Sequence, residues 1–147
     1  MNILYFIFAF LVGIATSVQS GVNSQLRQAL AHPIQAALIS FGSGFVVLTV
    51  MSLALRAPVP TYDAVRDISW WKWTGGLLGA IYVTTVIITV PRIGAGNLLS
   101  LSVAGQLLAA VILDHYGLLG FKEHGLTIWR LMGVLLIILG VVLVVKN

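Results

Sequence analysis

The spacing of the charged residues constrains this chain more than any other feature, because it leaves five long apolar stretches between them. The first runs from Ile3 to about Val22, ahead of Arg27, and the second from about Ile34 to Leu55, between Pro33 and Arg56. The third runs from about Trp73 to Val90, between Lys72 and Pro91, and the fourth from about Gly96 to Leu113, ending at Asp114. The fifth is centred on Leu131 to Val145, between Arg130 and Lys146. A helix needs about 20 apolar residues to cross a hydrocarbon core of about 30 Å. The fifth core holds about 15 residues, roughly 22 Å of helix, and spans if Leu126 to Trp129 extend it and Arg130 snorkels to the interface. Continuous apolar runs, rather than alternation with a period of two, argue against a β-barrel. The predicted fold class is therefore all-α: an integral membrane protein with five transmembrane helices. Those helices, at about 20 residues each, use most of the 147 residues and leave no room among them for an extramembrane domain.

Composition excludes the other classes. Charged residues make up 8% of the chain and hydrophobic ones 59%, against about 25% and about 45–50% in a soluble domain. Mean hydropathy is +1.05, and such hydrophobicity rules out disorder. The net charge of +4 does not point to nucleic acid, because the eight basic residues are spread singly along the chain. There is no cysteine, hence no disulfide and no thiolate site. His32, His115 and His124 lie far apart without metal-ligand spacing, so no metal is expected. No Walker A motif and no serine–histidine–acid set is present, so neither ATP hydrolysis nor a nucleophilic hydrolase is expected. No cofactor is called for.

The start of the chain lacks the basic n-region of a signal peptide, and its apolar run exceeds an h-region, so it reads as a retained span. Arg56-Ala57-Pro58-Val59-Pro60 stops the second stretch, and Thr61 to Trp73 forms the longest connection. Trp70, Trp71, Trp73 and Trp129 mark helix entrances at headgroup depth. The short Pro91 to Gly96 segment predicts a tight antiparallel hairpin. Five spans place Arg56, Arg66, Lys72, Lys122 and Arg130 on the N-terminal side and Arg27, Arg92 and Lys146 opposite. Five against three favours a cytoplasmic N-terminus under the positive-inside rule, but by too little to fix orientation. Either the preference is marginal or the chain inserts both ways.

Polar groups inside a span cost free energy unless partnered, so their placement is informative. Gln19, Asn23 and Arg27 are spaced by four on one stripe of the first helix. Ser102, Gln106, Ala110 and Asp114 form a second stripe on the fourth, with Gln106 near mid-membrane. The stripes are read as lining a shared water-accessible cavity, against the alternative that they hold helices together, where such bonds contribute about 0.6 kcal/mol. Asp114 is the carboxylate near the membrane that would couple transport to protons, or else a solvated helix end; Glu123 falls in a polar turn. Gly75 and Gly79, with Ser40 and Gly44, permit close helix approach. Tyr82, on the Gly75 and Gly79 face, is both an aromatic wall and a hydroxyl donor. Gly133 and Gly140, a heptad apart, read as a contact seam.

Several segments resemble the YdcZ-like family of the drug/metabolite transporter superfamily. They are Gly75-Gly76-Leu77-Leu78-Gly79-Ala80-Ile81-Tyr82, Pro91-Arg92-Ile93-Gly94, Gly105-Gln106-Leu107, Asp114-His115-Tyr116-Gly117 and the early Gln19, Asn23 pair. The resemblance covers essentially the whole chain. Arg130-Leu131-Met132-Gly133, followed by Gly140-Val141, is similar to the last helix of small multidrug resistance proteins, where that helix dimerises.

The resemblance implies a half-transporter in the inner membrane. Superfamily members carry two inverted five-helix repeats with substrate at the midplane between them, so a second copy would supply the other half, as an antiparallel homodimer. Small multidrug resistance proteins use a glutamate in their first helix, whereas Gln19 and Asn23 stand here. Cation/proton exchange by that route is therefore not expected. The expected cargo is neutral, zwitterionic or anionic, held by the amides, Tyr82 and Arg27. The expectation is a small-solute exporter, not an enzyme, working by alternating access. Gln19, Asn23, Tyr82, Ser102 and Gln106 would line the cavity, Asp114 would couple, and Gly133 and Gly140 would form the dimer seam. The expected partners are the lipid bilayer, a second copy and a small-molecule substrate. The alternative is an accessory membrane subunit without cargo of its own; an intramembrane enzyme would have only Asp114 and His115 behind it.

Overall fold

The computed structural model describes residues 3–146; Met1, Asn2 and Asn147 lie outside the described residues. Its helices are α1 (Ile3–Leu30), α2 (Pro33–Ala54), the short α3 (Tyr62–Arg66), α4 (Thr74–Ile93), α5 (Ala95–His115) and α6 (Ile128–Lys146). Five are long and apolar enough to cross a membrane, α4 counting its leading turn from Trp70. At most 17% of any of these spans is buried by the rest of the chain. Large apolar residues such as Phe10, Phe45, Leu53 and Leu143 are exposed all along them. That much continuous apolar surface is stable only in lipid or against protein. The chain is an all-α integral membrane protein.

Two compact units make up the chain, one through Arg92 and the other from Ile93. In the first unit, α1 does not stop where its apolar stretch does but continues through Leu30. Gln and Arg are good helix formers, so Gln25, Arg27 and Gln28 prolong the helix out of the apolar region. It ends where Ala31 takes a left-handed φ of 57°. His32, restricted by the following proline, is extended (φ −143°, ψ 124°), and Pro33 opens α2.

The end of α2 is a Schellman turn. Ala57 N–H donates to Ser52 O (2.9 Å) and Arg56 N–H to Leu53 O (3.1 Å), with Arg56 at φ 50°. Pro58 and Pro60 keep the chain from re-entering a helix. Thr61 caps α3, its Oγ1 accepting from Ala64 N–H at 3.3 Å, with Asp63 in its first turn and Arg66 in its last to match the helix dipole. A 3-10 turn over Trp70–Trp73 leads into α4. Lys72 Nζ sits 5.7 Å from the Trp71 ring centre, and Trp70 and Trp73 are exposed, as interfacial anchors require.

The core of this unit is Ala36 and Ala37 of α2 against Val83 and Ile87 of α4, with Leu26, Leu30 and Tyr82 around it. Gly79 lies against the Phe41 ring, 3.5 Å from where a Cβ would sit.

In the second unit, Gly94 (φ 82°) starts α5, and α6 packs back against α5. The turn between them depends on left-handed Gly117 at φ 59°. Leu98 on α5 and Val134 and Val141 on α6 are buried.

Candidate functional site

Polar side chains of the first unit converge between α1 and α4. Thr16, Gln19, Ser20 and Asn23, at helical spacing on α1, face Tyr82, Val83 and Val86 of α4 around one crevice. The hydroxyls here are satisfied locally. Thr16 Oγ1 donates to Val12 O (2.8 Å) and Ser20 Oγ to Ser17 O (2.8 Å), the usual back-bonding of serine and threonine in apolar helices.

Asn23 differs. It is 4% exposed, it makes no side-chain hydrogen bond among the described residues, and it borders the crevice. No side-chain nitrogen or oxygen among the described residues is both sealed from solvent and unpartnered, so the amide stays open to the crevice, where a water or a cargo group can meet it. The crevice has a volume of about 10 Å³, room for about one water molecule. Gln19 borders both this crevice and a wider recess of about 390 Å³ toward α2, beside Ser40, Gly44 and Phe45. A larger recess of about 510 Å³ between α2 and α4 is apolar apart from Thr84 and Thr85 and offers no specific chemistry.

One turn beyond Asn23, Arg27 performs a task that the sequence did not disclose. Pro91 lies inside the last turn of α4. It has no N–H, so the carbonyl four residues earlier, Ile87 O, loses its helical donor. Arg27 Nη1 donates to Ile87 O at 3.1 Å, with Ile88 O at 3.5 Å. Because Ile87 is wholly buried, an unmet carbonyl there would be costly. The signal was present as a helix that could run past its proline, but it needed the neighbouring helix to be read. The expected Pro91 to Gly96 turn contracts accordingly, since α4 passes through Pro91 and breaks at Gly94.

The second unit holds the other predicted residues. On α5, Ser102 is half-buried and Gln106 exposed, and neither makes a side-chain hydrogen bond among the described residues. Asp114 is ion-paired, its Oδ2 lying 3.3 Å from Arg130 Nη2. Its backbone O accepts from His124 N–H at 2.8 Å. Arg130 Nη1 reaches His124 O at 3.4 Å, and Leu126 N–H donates to His115 Nδ1 at 3.3 Å. Asp114, His115 and Arg130 thus pin the loop between α5 and α6. Gly133 and Gly140 face open space, with nothing within 4 Å of an added Cβ. The buried positions of α6 are the adjacent Val134 and Val141, also a heptad apart. No group of histidine, cysteine or acidic residues among the described residues could hold a metal ion.

Five helices long and apolar enough to cross a bilayer, with a small polar crevice between two of them, define a multipass membrane protein. Residues 4–143 match the family described as "Putative inner membrane exporter, YdcZ", and the chain belongs to that family. It is 26% identical to the "Inner membrane protein YdcZ" of Escherichia coli (strain K12) over 145 residues, covering 95% of this chain and 94% of the relative. No solved structure matches the chain. It is a multipass protein of the inner membrane, and its family is one of membrane exporters.

Proposed function

We propose that this protein exports a small solute by alternating access as a homodimer, antiparallel in the leading arrangement, and that it is not an enzyme. The α1–α4 crevice forms part of the cargo path, with Gln19 and Asn23 as amide ligands and Tyr82 as its wall. The observation that carries this reading is Asn23: a residue only 4% exposed whose amide makes no hydrogen bond among the described residues and opens on a crevice. Interhelical glue would leave it bonded. The crevice has room for about one water, so the conformation described is closed at this point, and cargo enters when α1 and α4 part. Ser102 and Gln106 add a polar stripe on α5, where an exposed amide inside an apolar span requires a partner from cargo or from a second copy.

Flux of a solute panel in proteoliposomes tests the reading. Asn23→Leu and Gln106→Leu are expected to lower flux at least tenfold while the protein remains folded. Wild-type flux from both variants would remove these amides from the path. A chain that stays monomeric and shows no thermal shift with any solute would favour the accessory-subunit alternative.

Asp114 remains the candidate for proton coupling. A carboxylate held by Arg130 gives up that bond on protonation, so coupling would be linked to release of the α5–α6 loop. Unchanged proton dependence in Asp114→Asn would leave Asp114 a purely structural role.

A further inference from the structure

We propose that Arg27 binds an oxoanion group, carboxylate or phosphate, in the recess that it borders with Gln28, Ala31 and Pro91. That recess has a volume of about 330 Å³, enough for a small oxoanion with water. Arginine carries five N–H donors in a fork suited to two oxygens. Both hydrogen bonds of Arg27 use Nη1, which leaves Nε and Nη2 without an acceptor among the described residues. The guanidinium is partly buried, where an unpaired charge is costly.

No carboxylate of its own unit answers it. The acids there are Asp63 and Asp67, in the connection between α2 and α4, whereas Arg27 lies near the end of α1. The end of the unit where α1 and α4 finish and α2 begins instead carries a second guanidinium, that of Arg92. The carbonyls of Ile87 and Ile88 partly neutralise the guanidinium. They also compete for it, so the bare carbonyl that Pro91 leaves lowers the affinity for the anion. The proposal holds whether or not the Asn23 crevice carries cargo, because its readout is binding and not flux.

The test uses the full chain in phosphatidylcholine nanodiscs, titrated with inorganic phosphate at constant ionic strength and followed by melting temperature. The expected result is a saturable rise, lost in Arg27→Gln and retained in weakened form in Arg27→Lys, which keeps the charge but not the fork. Pro91→Ala restores the N–H that Ile87 O lacks and frees Nη1, so affinity is expected to rise about tenfold. A second arm replaces part of the phosphatidylcholine with phosphatidylglycerol. A rise with phosphatidylglycerol content that Arg27→Gln abolishes identifies a lipid headgroup as the source of the oxoanion; a response to free phosphate identifies a soluble one. Equal responses of wild type, Arg27→Gln and Pro91→Ala to both anions would overturn the proposal. Should Arg27→Gln fail to fold, absence of tightening in Pro91→Ala overturns it alone.

Discussion

Asn23 concentrates the difference between a structural polar residue and a functional one. Thr16, Ser17 and Ser20, in the turns before it, bond to their own backbone, whereas its amide does not. Asn23→Ala removes an amide that makes no hydrogen bond here and adds no bulk to a tightly enclosed site, so thermal stability is expected to hold within about 1 kcal/mol while transport falls. A drop in melting temperature would show instead that the amide is holding helices together. Ala31 provides a second check at this scale. Its φ of 57° is strained for an L-residue and free for glycine, so Ala31→Gly should raise stability by up to about 1 kcal/mol. The stripe of Gln19, Asn23 and Arg27 is legible in the sequence because helical spacing is. Which of its members would be buried is not, since that depends on where α4 lies.

At the scale of elements, α1 and α4 are joined by a donor on one that meets a defect in the other. Arg27→Gln is expected to lower the melting temperature, because the Ile87 carbonyl loses its donor. In a Pro91→Ala background the same change should cost less, by about 1 kcal/mol, since the helix again satisfies that carbonyl. Additive effects of the two substitutions would show that the Arg27 bond is incidental. The five spans were readable from charge spacing, and Pro33 marked the start of α2, but the short α3 inside the Thr61 to Trp73 connection was not foreseen. Nor were the ends of α1 and α4. A charged residue after an apolar run and a proline near a helix end both look like stops when the partner helix is unseen. Asp114 shows the same limit, since Arg130, sixteen positions on, pairs with it only because α6 folds back on α5.

For the whole molecule, the outward glycines of α6 bear on assembly. Among the described residues nothing lies within 4 Å of a Cβ built at Gly133 or Gly140, so Gly133→Leu and Gly140→Leu should leave the monomer fold intact. If α6 forms the seam between copies, they should shift the oligomer to monomer on sizing and in crosslinking. An unchanged dimer would move the interface elsewhere. Orientation is measurable too, since the chain has no cysteine and single cysteines near Arg56 and Lys146 can be labelled from each side. Labelling of each site from both faces is expected for an antiparallel pair; labelling from one face only would exclude it.

The sequence by itself determined that this chain lives in a bilayer, how many helices cross it, and which helical faces carry polar side chains. Those properties follow from hydropathy, charge spacing and helical periodicity, all of which act over a few turns. Tertiary structure alone decided that the Asn23 amide opens on a crevice, that Arg27 serves the carbonyl left bare by Pro91, and that Asp114 is held by Arg130. Each of these depends on which groups two separate helices bring within about 3 Å of each other, a distance set by packing that no local pattern encodes.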